Sequence, residues 1–199
     1  MHVSSHDPHA LIREAPTLGS PPAVYRRLVE VLDDPRSGTH EVAAVVAQDT
    51  SLTARILRLA NSAYFSFNGP VATVQQAVGL IGATHVRDLA LATSVTSFFR
   101  DVPPDLVNVE DFWRHSLAVG IGARTIAGLR RESNVERFFV AGMLHDVGRL
   151  VLYVCAPDPA REILEHAEKH EVLLYEAEIA ITGFDHGDVG GILMETWNM

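Results

Sequence analysis

Residues 138–154 read FFVAGMLHDVGRLVLYV, an apolar stretch interrupted by the ionisable pair His145-Asp146. If the stretch is one helix, a single stripe along it carries Phe138, Ala141, His145, Gly148 and Leu152. The pattern therefore predicts that His145 faces the core, with Asp146 turned about 100° round the axis. A carboxylate among apolar neighbours needs a partner, because an unpaired buried charge is costly. A metal ion would supply one, and so would an ion pair or a hydrogen bond.

Composition narrows the class of protein. The chain has 199 residues, 47% of them hydrophobic, and a net charge of −9. This acidic balance argues against a broad nucleic-acid-binding surface, which needs clustered Lys and Arg. The single cysteine, Cys155, fits a reducing compartment, and no secretory signal is visible. With no uninterrupted apolar run of about 18 residues, the sequence predicts a cytoplasmic protein without a membrane partner.

Helical periodicity runs through the chain, and no period-2 alternation is long enough for a strand, so the fold class predicted is all-α. Caps are predicted at Thr39, Thr73, Asn108 and Asp185. Pro103-Pro104 is predicted to separate two lobes. The domain prediction is a flexible segment over residues 1–20, an N-terminal helical lobe over 21–104 and a second lobe over 105–199.

Two further histidines occupy helices of the second lobe. On the long helix after Asn108, His115 shares a predicted inward stripe with Phe112, Val119, Gly122 and Ile126. His186 lies at the start of the last helix, where a histidine is commonly a surface neighbour of the cap. The remaining histidines, including His166 and His170, are predicted to be solvated.

Two segments together resemble the HDOD domain, a bacterial signalling module distantly related to HD-type metal-dependent phosphohydrolases and to HD-GYP phosphodiesterases. The first is LTARILRLANSAY at 52–64, followed by VQQAVGLIG at 74–82. The second comprises FWRHS at 112–116, AGMLHDVGR at 141–149, HGDVG at 186–190 and ETWN at 195–198. The resemblance covers residues 16–199. It implies a two-lobed helical fold whose second lobe is an HD-like helical bundle, and we expect this lobe to be truncated at the C-terminus.

The resemblance also implies a candidate metal site. His115, His145 and Asp146 match the first three ligand positions of HD phosphohydrolases, and His186 matches a ligand of a second metal in HD-GYP enzymes. Arg149 stands where those enzymes carry lysine, and is a candidate phosphate-binding residue. Imidazole and carboxylate ligands suit Fe, Mn, Zn or Ni. No further helix with an Asp follows the one that begins at His186. The alternative is a set of satisfied polar groups without metal.

The preferred function is a regulatory module that binds another signalling protein and does not catalyse a reaction. The alternative is a metal-dependent phosphohydrolase acting on a nucleotide or cyclic dinucleotide, and a third option is a nucleotide-binding sensor that lacks turnover. Tyr64, Phe65 and Phe67 are candidates for a partner surface, and the alternative is that they fill the interface between the two lobes. A homodimer is a further option, through an apolar face expected to be uncovered near Ile192 and Leu193.

Overall fold

The computed structural model describes residues 7–13, 15, 18, 21–62, 69–99, 101–132 and 135–197. These residues form twelve α-helices and no strand, which confirms the all-α prediction. The helices are α1 Pro8–Arg13, α2 Ala23–Asp33, α3 Thr39–Val46, α4 Thr50–Ala60, α5 Val74–Ile81, α6 Ala83–Phe98, α7 Val109–Leu129, α8 Val135–Leu144, α9 Val147–Cys155, α10 Pro157–His170, α11 Leu174–Thr182 and α12 His186–Thr196.

The chain divides into two compact units. The small unit is residues 21–97, and the large unit is residues 1–20 together with 98–199. The division therefore falls at the end of α6, a few residues before the Pro103-Pro104 boundary predicted from the sequence. The residues that follow α6 pack into the large unit, where Phe99, Val102 and Leu106 are buried. The two prolines lie in a turn inside that unit.

The small unit is a helical cluster around one apolar core. Leu28 of α2, Val46 of α3, Ile56 of α4, Ala77 of α5 and Val86 of α6 are all fully buried or nearly so in it. Each residue belongs to an apolar stripe at helical spacing, and this is why short helices of modest intrinsic stability hold together. The apolar stripes of the sequence therefore account for this unit.

The prediction of a flexible N-terminal segment is wrong for residues 8–13. They form α1, which packs against α9 and α12 and buries Leu11 and Ile12. The indole Nε1 of Trp197, just after α12, donates a hydrogen bond to the carbonyl oxygen of Leu18 at 2.8 Å. The apolar residues Ala10, Leu11, Ile12 and Leu18 are thus part of the core of the large unit.

The apolar stretch at 138–154 is two helices, which corrects the prediction of one. α8 ends at Leu144 and α9 begins at Val147, so that His145 and Asp146 form the junction. Because the helical stripe is broken at this point, His145 leaves the core face and its side chain is 35% exposed. His115 is exposed as well, and the buried line of α7 runs through Phe112, Ser116, Gly120 and Ala127.

Other surface predictions have mixed outcomes. Leu193 is completely buried, so the uncovered apolar face expected there is absent at that residue. The aromatics Tyr64, Phe65 and Phe67 lie outside the described residues.

The stretch 137–155 is long and apolar enough to cross a membrane, but 56% of it is buried, as in the core helix of a soluble protein.

Candidate metal centre

Three of the predicted site residues converge in the large unit. His115 comes from the middle of α7, and His145 and Asp146 come from the junction of α8 and α9. Each offers a ligand atom, and the three atoms lie within 4.8 Å of one another. The imidazole rings of His115 and His145 have centroids 5.4 Å apart. We call this set the triad.

A close crossing of α7 and α8 brings the triad together. A Cβ atom on Gly120 of α7 would stand 2.8 Å from the carbonyl oxygen of Phe139, and one on Gly142 of α8 would stand 2.9 Å from the Cα of Gly120. No side chain fits in that space, so the two backbones touch at these glycines. The crossing lies one and a half turns from His115 and one turn from His145, and it sets the distance between them.

A second crossing places His186. A Cβ atom on Gly148 of α9 would stand 1.9 Å from the carbonyl oxygen of His186 and 2.7 Å from the amide nitrogen of Gly190. The start of α12 therefore lies directly on α9. As a result, the Nε2 atom of His186 is 3.5 Å from Oδ1 of Asp146. His186 thus lies at the edge of the triad, in contact with its carboxylate.

Asp146 is the electrostatic centre of the site. Its Oδ1 atom is 3.2 Å from Nε2 of His145, and its Oδ2 accepts a hydrogen bond from Nη1 of Arg149 at 3.2 Å. Nη2 of Arg149 donates to the hydroxyl oxygen of Tyr153, also at 3.2 Å. Burial lowers the pKa of Arg149, but Tyr153 and Asp146 outweigh it and hold that pKa above its ordinary value. The candidate phosphate-binding residue is therefore a fixed cation beside the triad.

Glu178 of α11 is a site residue that the sequence analysis missed. It is 1% exposed, and its Oε2 atom accepts hydrogen bonds from the backbone N–H of His186 at 2.9 Å and from Nδ1 at 2.5 Å. The hydrogen bond to Glu178 raises the pKa of His186, against the opposing effect of burial. The sequence did contain a signal, since Glu178 shares a helical stripe with the apolar residues Leu174 and Ile181.

The chemistry of the triad fits a divalent transition metal. Nδ1 of His145 faces the carbonyl oxygen of Gly142 at 2.8 Å. A carbonyl can only accept, so Nδ1 carries the proton and the Nε2 lone pair is free to bind a metal. Ligand atoms about 2.0–2.2 Å from one ion in tetrahedral geometry are about 3.4 Å apart, so a pair of triad atoms at the 4.8 Å limit would close by about 1.4 Å on binding a metal. Nitrogen and carboxylate ligands suit Zn, Fe, Mn or Ni.

An all-helical unit with a His-Asp pair at a helix junction and a third histidine beside it defines an HD-related domain. The family model of the HDOD domain matches residues 18–199, and the chain belongs to this family. The family resemblance read from the sequence motifs is thereby confirmed.

Solved structures agree with the family. An HDOD domain protein of unknown function from Geobacter sulfurreducens is 27% identical, with a TM-score of 0.74, and the match covers 94% of this chain and 66% of that one. A protein of Shewanella amazonensis SB2B, provisionally called a phosphohydrolase, is also 27% identical, with a TM-score of 0.76, and the match covers 100% of this chain and 68% of that one. One of these neighbours is thus described as a protein of unknown function and the other as a phosphohydrolase.

One curated relative extends well beyond the matched region. An uncharacterized protein of Treponema pallidum (strain Nichols) is 19% identical over 182 residues, which cover 89% of this chain and 35% of the relative. The chain thus spans about a third of the length of that relative.

Proposed function

We propose that this HDOD chain is a regulatory module of signal transduction that acts by binding another signalling protein, and that its metal centre has a structural or sensing role. The observation that carries the proposal is that the carboxylate of Asp146 already has partners within the protein. Its Oδ1 lies 3.5 Å from Nε2 of His186, and its Oδ2 accepts a hydrogen bond from Nη1 of Arg149, so that both oxygens already face partners inside the protein. A metal would have to compete with these partners, which favours a stabilised site over an open catalytic one.

The surface supports protein contact. α7 exposes four large aliphatic side chains, which are Leu117, Ile121, Ile126 and Leu129. Leu117 and Ile121 are one helical turn apart and share one side of α7, so this pair is the candidate contact patch, whereas Ile126 lies about 180° from Leu117 round the axis. The net charge of −9 disfavours nucleic acid as the partner. A second copy of the chain is the other candidate partner for this patch. We place the module in the cytoplasm.

The alternative function is a metal-dependent phosphohydrolase acting on a nucleotide or a cyclic dinucleotide. Arg149 favours it, because a fixed guanidinium beside the triad offers charge to a phosphate. A bound metal would lower the pKa of a water molecule and polarise a phosphoryl oxygen. A nucleotide-binding sensor would use the same arginine without turnover.

Metal analysis combined with a phosphodiester hydrolysis screen tests these functions. We expect the purified chain to bind a divalent metal at the triad, His145→Ala to lose it, and His40→Ala, an exposed control in the small unit, to keep it. We expect no hydrolysis of cyclic dinucleotides that depends on His145. Turnover that disappears in His145→Ala would establish the hydrolase, and nucleotide binding without turnover would establish the sensor.

A further inference from the structure

A second pair of histidines lies on α10, which contributes no residue to the triad. His166 and His170 are one helical turn apart, and the centroids of their rings are 4.4 Å apart with an interplanar angle of 39°. His170 is exposed and His166 is partly exposed. Both rings are therefore close to each other and open to solvent.

The ring separation can be compared with that of a metal chelate. An imidazole nitrogen lies about 2.0–2.1 Å from a bound ion, and the ring centroid is about 1.1 Å further, so that each centroid is about 3.2 Å from the ion. Two rings at a right angle would then have centroids about 4.5 Å apart, and two rings at a tetrahedral angle about 5.2 Å. The observed 4.4 Å fits the right angle.

We propose that His166 and His170 form a chelate for a divalent late transition metal with square-planar or octahedral geometry, Cu²⁺ or Ni²⁺. Such geometry with nitrogen ligands is typical of these two ions, and Cu²⁺ binds most tightly in the divalent series. Glu162 is exposed and lies two turns from His170, so the chelate consists of the two imidazoles. Water completes the coordination, because the helix face is open.

A different role for His170 follows from its position in the last turn of α10. A protonated histidine there would stabilise the negative end of the helix dipole without any metal. The two roles differ in one respect, since only the chelate depends on both rings being one turn apart.

Titration of the metal-stripped chain with Cu²⁺, followed by calorimetry and electron paramagnetic resonance, tests the chelate. A background variant with His115→Gln and His145→Gln removes the triad as a competing site. In this background we expect one Cu²⁺ with nitrogen coordination, and an affinity loss of about tenfold or more in His170→Gln. The remaining histidines are the same in both chains, so their contribution cancels in the comparison.

A spacing variant supplies the matched control. Glu168→His combined with His170→Gln keeps two histidines on α10 but places them two residues apart, where the side chains do not face each other. We expect it to bind Cu²⁺ as weakly as His170→Gln. The chelate is refuted if either variant binds as tightly as its parent, or if His170→Gln lowers the thermal stability of the metal-free chain while Cu²⁺ affinity stays unchanged.

Discussion

At the scale of single residues, the hydrogen bonds between Glu178 and His186 position part of the candidate site. The carboxylate holds both the backbone N–H and the ring of His186, and the other ring nitrogen points at Asp146. Glu178 is thus a positioning residue, which acts on the triad through His186. Local rules located several caps at this scale, and Thr73, Asn108 and Asp185 accept the expected backbone hydrogen bonds. Thr39 is a correction, because Gly38 takes the cap position of α3.

A double-mutant cycle measures the pair. Glu178→Gln should lower the free energy of unfolding by about 1–3 kcal/mol, because a buried charged hydrogen bond is weakened. His186→Gln should also destabilise, and the two effects should be coupled by about 0.5–3 kcal/mol in urea denaturation. Glu168→Gln is a surface control that we expect to change stability by less than about 0.5 kcal/mol. Additive effects of the two substitutions would show that the pair does not act as a unit.

Two helix crossings determine the geometry of the site at the scale of elements. Only glycine fits at these crossings, because backbone atoms of the partner helix occupy the space that a side chain would need. Ridges and grooves of larger residues would keep the helices about 8–10 Å apart at their axes. The sequence contains these glycines, but only packing reveals which of them face a partner helix.

Gly148→Ala tests the crossing of α9 and α12. The added Cβ atom would meet the carbonyl oxygen of His186 at 1.9 Å, so we expect a loss of stability of about 1–3 kcal/mol or more. Gly191→Ala on α12 has open space, and should stabilise by up to about 1 kcal/mol through its higher helix propensity. Thermal denaturation of both variants distinguishes the crossing from a general effect of alanine. Equal thermal midpoints of the two variants would contradict a close crossing of α9 and α12.

Gly120→Ala tests the crossing of α7 and α8 through metal binding. The Cβ atom would meet the carbonyl oxygen of Phe139 at 2.8 Å and push His115 away from His145. We therefore expect weaker metal binding at the triad, by about tenfold or more, in a metal titration. Gly122→Ala lies on the same helix with no atom within 4 Å of the added carbon, and should bind as the parent does. Unchanged affinity in Gly120→Ala would mean that the crossing does not control the triad.

The large unit depends on segments from both ends of the chain at the scale of the whole molecule. α1 packs on α9 and α12, and Trp197 donates its hydrogen bond to Leu18. The first residues of the chain are therefore joined to the unit that carries the triad. The small unit has a core of its own, which the described residues of α2 to α6 form.

Deletion of residues 1–20 should destabilise the large unit selectively. Removal of Leu11 and Ile12 exposes apolar surface of α9 and α12, so hydrogen exchange in these two helices should become faster. Helices α2 to α5 should keep their protection. Trp197→Phe is a milder variant that removes the indole donor and part of the buried ring system, and should cost about 1–3 kcal/mol. Equal loss of protection in both units, or none in α12, would contradict this dependence.

The sequence by itself determined the helical class, most caps, the apolar stripes of the small unit and, through its motifs, the family and the residues of the triad. These features depend on neighbours within a few positions or on a matched pattern. The tertiary structure decided the break at His145-Asp146, the contact of Glu178 with His186 and the place of α1 in the large unit. Each of these arises from residues distant in the chain, as where Gly148 meets His186, and the energy of such a contact exists only after the helices pack.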